Sequence, residues 1–435
     1  MSKYEKYKES GVEWIGEVPE HWVVKRLKNL ATNISSKSTE ILDDDFIVAL
    51  ENIESNTGKF IESSSEYENN GIIFKESQIL YNKLRPYLNK VYLAKRDGIC
   101  VGDIIVVECS KILYPKFLQY KMLSDAFCAI VMSSVQGTKM PRTSWEFISS
   151  LKFGIPPKAE QLAIANYLDH QTQKIDRLIA NKKAQAEKLK ELRHIEINNA
   201  VTKGLNPNAE MKHSGIVWLG KIPKHWEVRK IKQLLKPEKN AIKTGPFGSD
   251  LKFEDLIEEG IKVYNQRSVL DNDWESGEGY ISEKKYETLK TCTIFPDDMV
   301  ITTRGTIGKV SIFPLNAELG ILHPCLMRIQ MNSQRILNDY LKIIINDSSF
   351  FFEALKLASN ATTIDVIYSE SLKEVKIPVP PVQEQIEITS YLKERIASTD
   401  KLSYNIQTQI EKLQELRKIK IYEAVTGKIK VNAYV

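Results

Sequence analysis

Gly305-Thr306-Ile307-Gly308-Lys309 has the glycines and lysine of a phosphate-binding loop. Such a loop needs Gly where Thr303 stands and Ser or Thr where Val310 stands, so nucleotide binding is not expected there. Asp273, Glu283 and Lys285 can be set on the acid-x-Lys spacing of a nuclease, but patterns this short arise in any charged loop, and a solvated surface is the expectation. The six histidines (His21, His170, His194, His213, His225, His323) show no H-E-x-x-H spacing, and none is set with a cysteine in zinc-ligand fashion. No Gly-rich turn follows a strand in the manner that cradles a dinucleotide or S-adenosylmethionine. The five cysteines, Cys100, Cys109, Cys128, Cys292 and Cys325, form no C-x-x-C pair, which fits structural thiols in a reducing compartment.

What remains is chemistry for binding. Lys83-Leu84-Arg85-Pro86-Tyr87-Leu88-Asn89-Lys90 interleaves basic, aromatic and amide groups that suit phosphates and base edges. Its counterpart after a similar strand is Thr303 to Lys309, with Arg304. A second polar cluster, Gln136-Gly137-Thr138-Lys139 with Arg142, has its counterpart in Asn360-Ala361-Thr362-Thr363. Loops this rich in donors also occur on ordinary surfaces. Lys and Arg number 61 against 56 Asp and Glu, a net charge of +5 that permits a polyanionic partner without requiring one.

These loops sit in a chain of 435 residues, long enough for two sizeable domains, with an apolar fraction of 42% and a charged fraction of 27% that are ordinary for folded soluble proteins. No apolar run approaches the roughly 18 residues of a membrane helix, and Met1 to Glu9 is polar and charged, so a cytoplasmic protein is expected. The sequence is written twice. Ser10 to Trp22 (SGVEWIGEVPEHW) returns as Ser214 to Trp226 (SGIVWLGKIPKHW), identical at seven of thirteen positions after a shift of 204. Ile155-Pro156-Pro157-Lys158-Ala159-Glu160-Gln161 returns as Val379-Pro380-Pro381-Val382-Gln383-Glu384-Gln385, now shifted by 224, and Lys188-Leu189-Lys190-Glu191-Leu192-Arg193 returns at the same shift as Lys412 to Arg417. Frames repeat while contents differ.

Each repeated C-terminal block predicts one long helix. Paired prolines suit the first turn, Glu160 or Glu384 there complements the dipole, and no Pro or Gly interrupts until Gly204 and Gly427 offer C-terminal stops. About 44 residues at 1.5 Å each would span roughly 65 Å. A heptad reading places Leu168, Ile175, Leu178, Leu189 and Leu192 on the apolar stripe of the first, and Leu392, Leu402, Ile406, Leu413 and Leu416 on that of the second. Two equivalent helices can pair antiparallel about a pseudo-twofold axis; the alternative is that each packs only on its own domain. Between the blocks, β-rich runs such as Ile104 to Val107 and Met299 to Thr302 alternate with turn clusters and with helical segments near Lys116 to Met132 and Gln334 to Ala358, so the domains are mixed α/β or α+β. Leu205 to His213 is the best linker candidate. His21-Trp22 and His225-Trp226 occupy equivalent frame positions, which favours the tryptophan as a buried or subunit-facing anchor over a catalytic role.

The W-[IL]-G-x-[IV]-P-x-H-W frames, the P-P-x-x-E-Q helix openings, Lys243-Thr244-Gly245-Pro246-Phe247-Gly248-Ser249, Leu84 to Lys90 and Arg304 to Lys309 together resemble the specificity (S) subunit of type I restriction-modification systems. The similarity covers essentially the whole chain. It implies two target recognition domains (1–155 and 214–379), joined by long antiparallel spacer helices (156–203 and 380–427), with a linker at 204–213 and a tail at 428–435. Each domain would read half of a split, asymmetric double-stranded DNA sequence. The DNA contacts this implies are Lys83, Arg85, Tyr87, Asn89, Lys90, Gln136, Lys139 and Arg142 in the first domain, and Lys243, Ser249, Arg267, Arg304, Lys309 and Thr362 in the second. Methylation subunits, two of them expected, would dock on the repeated regions, which assigns Trp14, Trp22, Trp218 and Trp226 to a partner interface. The resemblance implies no cofactor in this chain: S-adenosylmethionine would come with the methylation subunits, and ATP and magnesium with restriction subunits. The competing readings are a stand-alone nuclease or methyltransferase, and a coiled-coil scaffold that binds only protein.

Overall fold

The computed structural model describes residues 2–38, 42, 45–63, 71–135, 140–359 and 363–431. They form two compact units: Met1–Ala184 with Ile406–Val435, and Gln185–Asn405. Each unit is built on the same plan. In the first, a four-stranded antiparallel sheet runs in the order Ala31–Ile34, Ile104–Cys109, Ile79–Asn82, Val91–Leu93. The run Ile104-Ile105-Val106-Val107 is its central strand. Ile104 and Val106 enter one apolar cluster with Val48, Phe74 and Cys100, while Ile105 and Val107 enter another with Phe117, Phe127 and Phe153. A strand buried on both faces needs no polar alternation, which is why it reads as a continuous apolar run.

A second, three-stranded sheet (Ile47–Val48, Gly98–Cys100, Ile72–Phe74) faces the first and contains one parallel pair. The second unit repeats both sheets: Ile242–Thr244, Leu326–Ile329, Met299–Thr302, Val310–Ile312, and then Gly279–Ile281, Ile261–Tyr264, Gly320–Leu322, Thr293–Ile294. Between Ile261–Tyr264 and Thr293–Ile294 the second unit also carries strand Gly279–Ile281 and helix Glu283–Leu289. Mostly antiparallel sheets with helices to one side make both units α+β.

In the first unit, helices Pro115–Met122 and Asp125–Ser133 break at Leu123-Ser124, where the Ser124 hydroxyl caps the Phe127 amide. The expected linker is partly structured, since Met211–His213 pairs with Lys221–Pro223, as Tyr7–Glu9 pairs with Glu17–Pro19.

The long helices run Lys158–Lys203 and Val382–Val425, and each ends at a glycine in the left-handed region, Gly204 at φ +73° and Gly427 at +74°. Both units contain pieces of both helices. In the first, Asp176 of the first helix pairs with Arg417 of the second, and Ile421, Ala424 and Val425 join the cluster of Ile164, Tyr167 and Leu168. In the second, Arg193 faces Asp400 and Glu196 faces Arg395, so the two helices run in opposite directions there.

The heptad stripe is half right. Leu168, Ile175 and Leu392 are buried, and Leu189, Ile406 and Leu413 are half-buried; Leu178, Leu192, Leu402 and Leu416 are exposed, with Leu192 at 60%. The residues that carry the packing are instead Ile197, Ala200, Val201, Ile388, Ile421, Ala424 and Val425. A 3.5-residue repeat presumes one partner along the whole helix, but these helix ends pack on β-domains, which moves the buried face.

Candidate nucleic-acid interface

After strand Ile79–Asn82 the chain passes through Lys83 into a 3-10 turn, Pro86–Leu88, and returns as Val91–Leu93. Arg85 and Asn89, on either side of that turn, both adopt left-handed backbone, at φ 50° and 48°. The Arg85 amide donates to the Pro141 carbonyl at 2.8 Å and the Thr143 amide to Lys83 at 3.0 Å, so residues 83–85 are zipped to 141–143. This brings Arg85, Tyr87 and Arg142, predicted from separate motifs, to one surface, and all three are exposed.

Two predicted contacts do something else. Asn89 is buried, and its Nδ2 donates to the Leu123 carbonyl at 2.9 Å. Lys90 donates its Nζ to the Leu50 carbonyl at 2.6 Å, and burial lowers its pKa. Both hold the turn rather than face outward. Lys83 and Arg142 share Asp103, at 3.4 and 3.0 Å, so part of their charge is already answered. Gln136 and Lys139 lie outside the described residues, as does Thr362.

The second unit builds the same arrangement with different chemistry. The Ile367 amide donates to Thr303 at 2.9 Å and Arg304 bridges to Val366, so residues 303–304 are zipped to 366–367. The Gln266 side chain donates to the Arg304 and Thr306 carbonyls at 3.0 and 2.8 Å, which joins helix Gln266–Leu270 to the turn; no sequence motif marked Gln266. Arg304 and Lys309 are exposed, and Arg267 on that helix is exposed but paired to Asp271 at 3.2 Å. Lys243 is half-buried in strand Ile242–Thr244; Ser249 lies exposed in the following loop, together with the exposed rings of Phe247 and Phe253.

The glycines of the 303–309 turn serve its fold. Gly305 and Gly308 have φ of +69° and +73°, and a Cβ on Gly308 would lie 2.4 Å from the Phe352 ring. The space a phosphate loop would leave open is filled by that ring. Asp273 accepts from the Ser276 hydroxyl and from the amides of Ser276 and Glu275, bonds that lower its pKa, and Lys285 pairs with Asp255 at 2.9 Å. Asp273 and Lys285 are thus engaged in local structure, and Glu283 opens helix Glu283–Leu289. Among the described residues no group of three His, Cys, Asp or Glu could hold a metal ion, although His323 Nδ1 does lie 3.0 Å from Cys325 Sγ.

The repeated frame acts as scaffold. The Trp22 indole donates to Glu160 at 3.0 Å and His21 Nε2 lies 2.7 Å from the same carboxylate; Trp226 and His225 meet Glu384 at 2.9 and 2.8 Å. Gln161 donates to the Pro156 and Ile112 carbonyls, and Gln385 to Pro380 and Arg335. The tryptophan of one motif is therefore joined to the glutamate of the other, and the neighbouring glutamine fixes the helix start. The expectation that Trp22 and Trp226 face a partner is corrected: both are fully buried, because each indole fills the seat between its strand pair and the end of a long helix. Trp14 and Trp218 are half-buried. Trp14 stands edge-on to Phe153, and Trp218 stacks on Phe350 at 4.9 Å.

Known proteins share this architecture. The specificity subunit of the type I restriction enzyme MjaVIII of Methanocaldococcus jannaschii is 26% identical over 436 residues, covering 95% of this chain and 94% of that protein. The EcoKI specificity subunit of Escherichia coli K12 is 20% identical, covering 95% of this chain and 90% of the other. Among solved structures, a chain from a study of complex assembly and conformational transition of the type I R-M system superposes with a TM-score of 0.72 at 15% identity, over 95% of this chain and 99% of that one. The HsdS subunit of Thermoanaerobacter tengcongensis gives 0.55 at 16% identity, over 95% and 98%. The family model described as the type I restriction modification DNA specificity domain matches twice, at residues 19–188 and 223–412, in register with the two frames, and the chain belongs to that family.

Proposed function

We propose that this chain is the DNA sequence-recognition subunit of a type I restriction-modification complex, reading a two-part, asymmetric DNA site. The observation that carries this is the pairing of turn and strand segment in each unit: 83–90 against 141–143, and 303–309 against 366–367, equivalent in fold and unlike in side chains. Like scaffolds with unlike donors suit two half-sites of different sequence, with exposed arginines and lysines contributing base contacts and salt-sensitive phosphate contacts. On this reading the two long helices form an antiparallel, pseudo-twofold spacer that sets the gap between half-sites. The chain itself is non-catalytic and holds no cofactor. Methylation subunits supply S-adenosylmethionine for adenine methylation, restriction subunits supply ATP- and magnesium-dependent cleavage, and the complex works in the cytoplasm. No helix among the described residues is long and apolar enough to cross a membrane.

The test is to reconstitute the chain with the methylation subunits of its system, present a DNA library, and map methylated adenines. A single bipartite motif with a fixed gap is the expected result. Assembly with the partners but no sequence preference would overturn the reading in favour of a protein scaffold, and turnover of DNA by the isolated chain would favour a solitary enzyme.

A further inference from the structure

The repeated Lys-Leu-x-Glu-Leu-Arg motif ends in Arg193 and Arg417, and Asp176 and Asp400 stand at the same shift of 224. The structure pairs them crosswise, Arg417 Nε lying 3.3 Å from Asp176 in the first unit and Arg193 Nε 3.9 Å from Asp400 in the second. Neither arginine stops there. Arg417, almost fully buried, donates Nη1 to the Asn56 carbonyl at 2.7 Å and Nη2 to Thr57 at 3.4 Å, while Lys59 of the same loop reaches Asp176 at 2.7 Å. Asn56, in left-handed backbone at φ 62°, donates its amide to the carbonyl of Asn89, the residue that closes the 86–88 turn. One guanidinium is therefore a single residue away from the root of the turn bearing Arg85 and Tyr87.

In the second unit the relay has other parts and the same destination. Arg193 Nη2 meets Asp347 at 2.9 Å, at the end of helix Asn338–Asp347. The adjacent Asn346 clamps Val310 at both its amide and its carbonyl, at 2.9 and 2.8 Å, and its own carbonyl lies 3.4 Å from Lys309 Nζ. Asn198 of the long helix adds a second link, exchanging hydrogen bonds with Ser349 at 2.8 and 3.0 Å. A planar fork of donors suits such a joint, because it can satisfy a carboxylate and a carbonyl from fixed directions.

We propose that Arg417 and Arg193 are positioning residues for recognition, each fixing the reading turn of its unit to the long helices. The proposal rests on the reading of those turns as the DNA contacts. The two joints differ in chemistry. Arg417 needs the fork to hydrogen-bond two carbonyls while its charge faces Asp176. Arg193 hydrogen-bonds the Asp347 carboxylate and faces Asp400 by charge, which an ammonium can also do, and has Asn198 in support.

The experiment uses the full chain and has two arms. Hydrogen exchange on Arg417→Ala should show at least tenfold faster exchange in residues 50–60 and 83–90, with the second unit unchanged; Arg193→Ala should loosen 303–312 by a smaller factor. Arg193→Lys should recover most of the protection and Arg417→Lys little. In the methylation assay with partner subunits, Arg417→Ala should lose about tenfold in base discrimination at one half-site only, and Arg193→Ala less, at the other. If Arg417→Ala does not fold, Lys59→Met and Asp347→Asn carry the same arms, with about threefold effects expected. Unchanged exchange in 83–90 and 303–312 for folded variants overturns the proposal, whatever the DNA result. Wild-type protein without bipartite methylation, alongside the expected exchange changes, would instead sink the DNA-reading assignment and leave the joints standing as structural devices.

Discussion

At the end of each long helix the two units solve one packing problem with different side chains. In the first, Lys121, wholly buried among Trp22, Phe117 and Phe153, donates its Nζ to the carbonyls of Gly154 and Val425, at 3.3 and 2.8 Å. In the second, the phenol of Tyr340 lies 3.3 and 3.4 Å from the carbonyls of Val201 and Pro378. Those acceptors are Val425 and Gly154 moved back or forward by 224 positions, so an amine and a phenol occupy equivalent seats at the last carbonyls of a long helix. A helix terminus without partners leaves its carbonyls unsatisfied, and buried ones must be bonded. What the sequence repeat conserves here is the acceptor geometry; the donor is free to change. The change has a cost, because burying an ammonium without a counter-ion is expensive and lowers its pKa, for Lys121 to about 7.

The glycine stops should separate the units most strongly. A methyl group on Gly427 would lie 2.5 Å from the Pro19 ring, which cannot swing aside, whereas on Gly204 it would meet the end of the Glu384 side chain at 2.8 Å. Both substitutions also force alanine into left-handed backbone. Gly427→Ala should destabilise the first unit by about 4 kcal/mol and Gly204→Ala the second by about 2 kcal/mol, strain and overpacking together. Denaturant titration followed by hydrogen exchange in each unit measures both, and equal losses would erase this asymmetry.

Next comes pH. The folded-state pKa of Lys121 lies below its ordinary 10.5, so between pH 7 and that value the unfolded chain holds the extra proton and the first unit gains stability as pH rises. Between pH 7 and 9 the gain should be roughly 1.4 kcal/mol per pH unit. Above that, the thiols of buried Cys100 and half-buried Cys109, pushed up to about 12 by desolvation, start to pull the other way. Tyr340, its pKa raised by burial, gives the second unit no such rise. Lys121→Met should flatten the first unit's profile over this window; a slope that survives the substitution would remove Lys121 as its source.

The frame glutamates give a smaller contrast. Glu160 accepts from the Trp22 indole, His21 and the Tyr4 hydroxyl, whereas Glu384 serves Trp226 and His225. Removing either carboxylate leaves a buried indole N–H without its acceptor, at about 1–3 kcal/mol, with Glu160→Ala the costlier. Paired melting curves of Glu160→Ala and Glu384→Ala test the ranking.

How much of this could be read from the sequence depends on how far apart the partners lie along the chain. The two long helices, their proline starts and their glycine ends are local signals, and the structure shows them at Lys158–Lys203 and Val382–Val425. The α+β character followed from the apolar run at Ile104 and its counterpart at Met299. Glu160 was legible only as a dipole complement, because the indole it accepts from is 138 residues away in sequence. The only local sign of Lys121's burial is its place beside Phe117, Leu118 and Met122 on one helical face. The shared offset of Arg193 with Arg417 and Asp176 with Asp400 was also in view, but a repeat does not say which copy pairs with which. At Asn89 and Lys90 the sequence offers residue type alone, and type cannot distinguish a donor aimed at solvent from one spent on Leu123 or Leu50.

The smallest expected effect concerns the charge that faces outward. In the first unit Asp103 holds both Lys83 and Arg142, while Arg304 in the second has no ion pair among the described residues. If these surfaces meet phosphates, Arg304→Ala should weaken DNA binding and lower the slope of log affinity against log salt by about 0.9, one phosphate contact. Arg142→Ala should do less, since part of the Arg142 charge is already spent on Asp103. Asp103→Ala reverses the sign: it frees two cations at once, so non-specific binding at low salt should tighten by about twofold to fivefold, the equivalent of an exposed pair or two. Because that gain is electrostatic, it should vanish by about 0.5 M salt, where the screening length falls to a few ångströms. Fluorescence anisotropy with a duplex of unrelated sequence measures it, and a gain that persisted at high salt would mean that Asp103 had been shaping the turn instead of damping its charge.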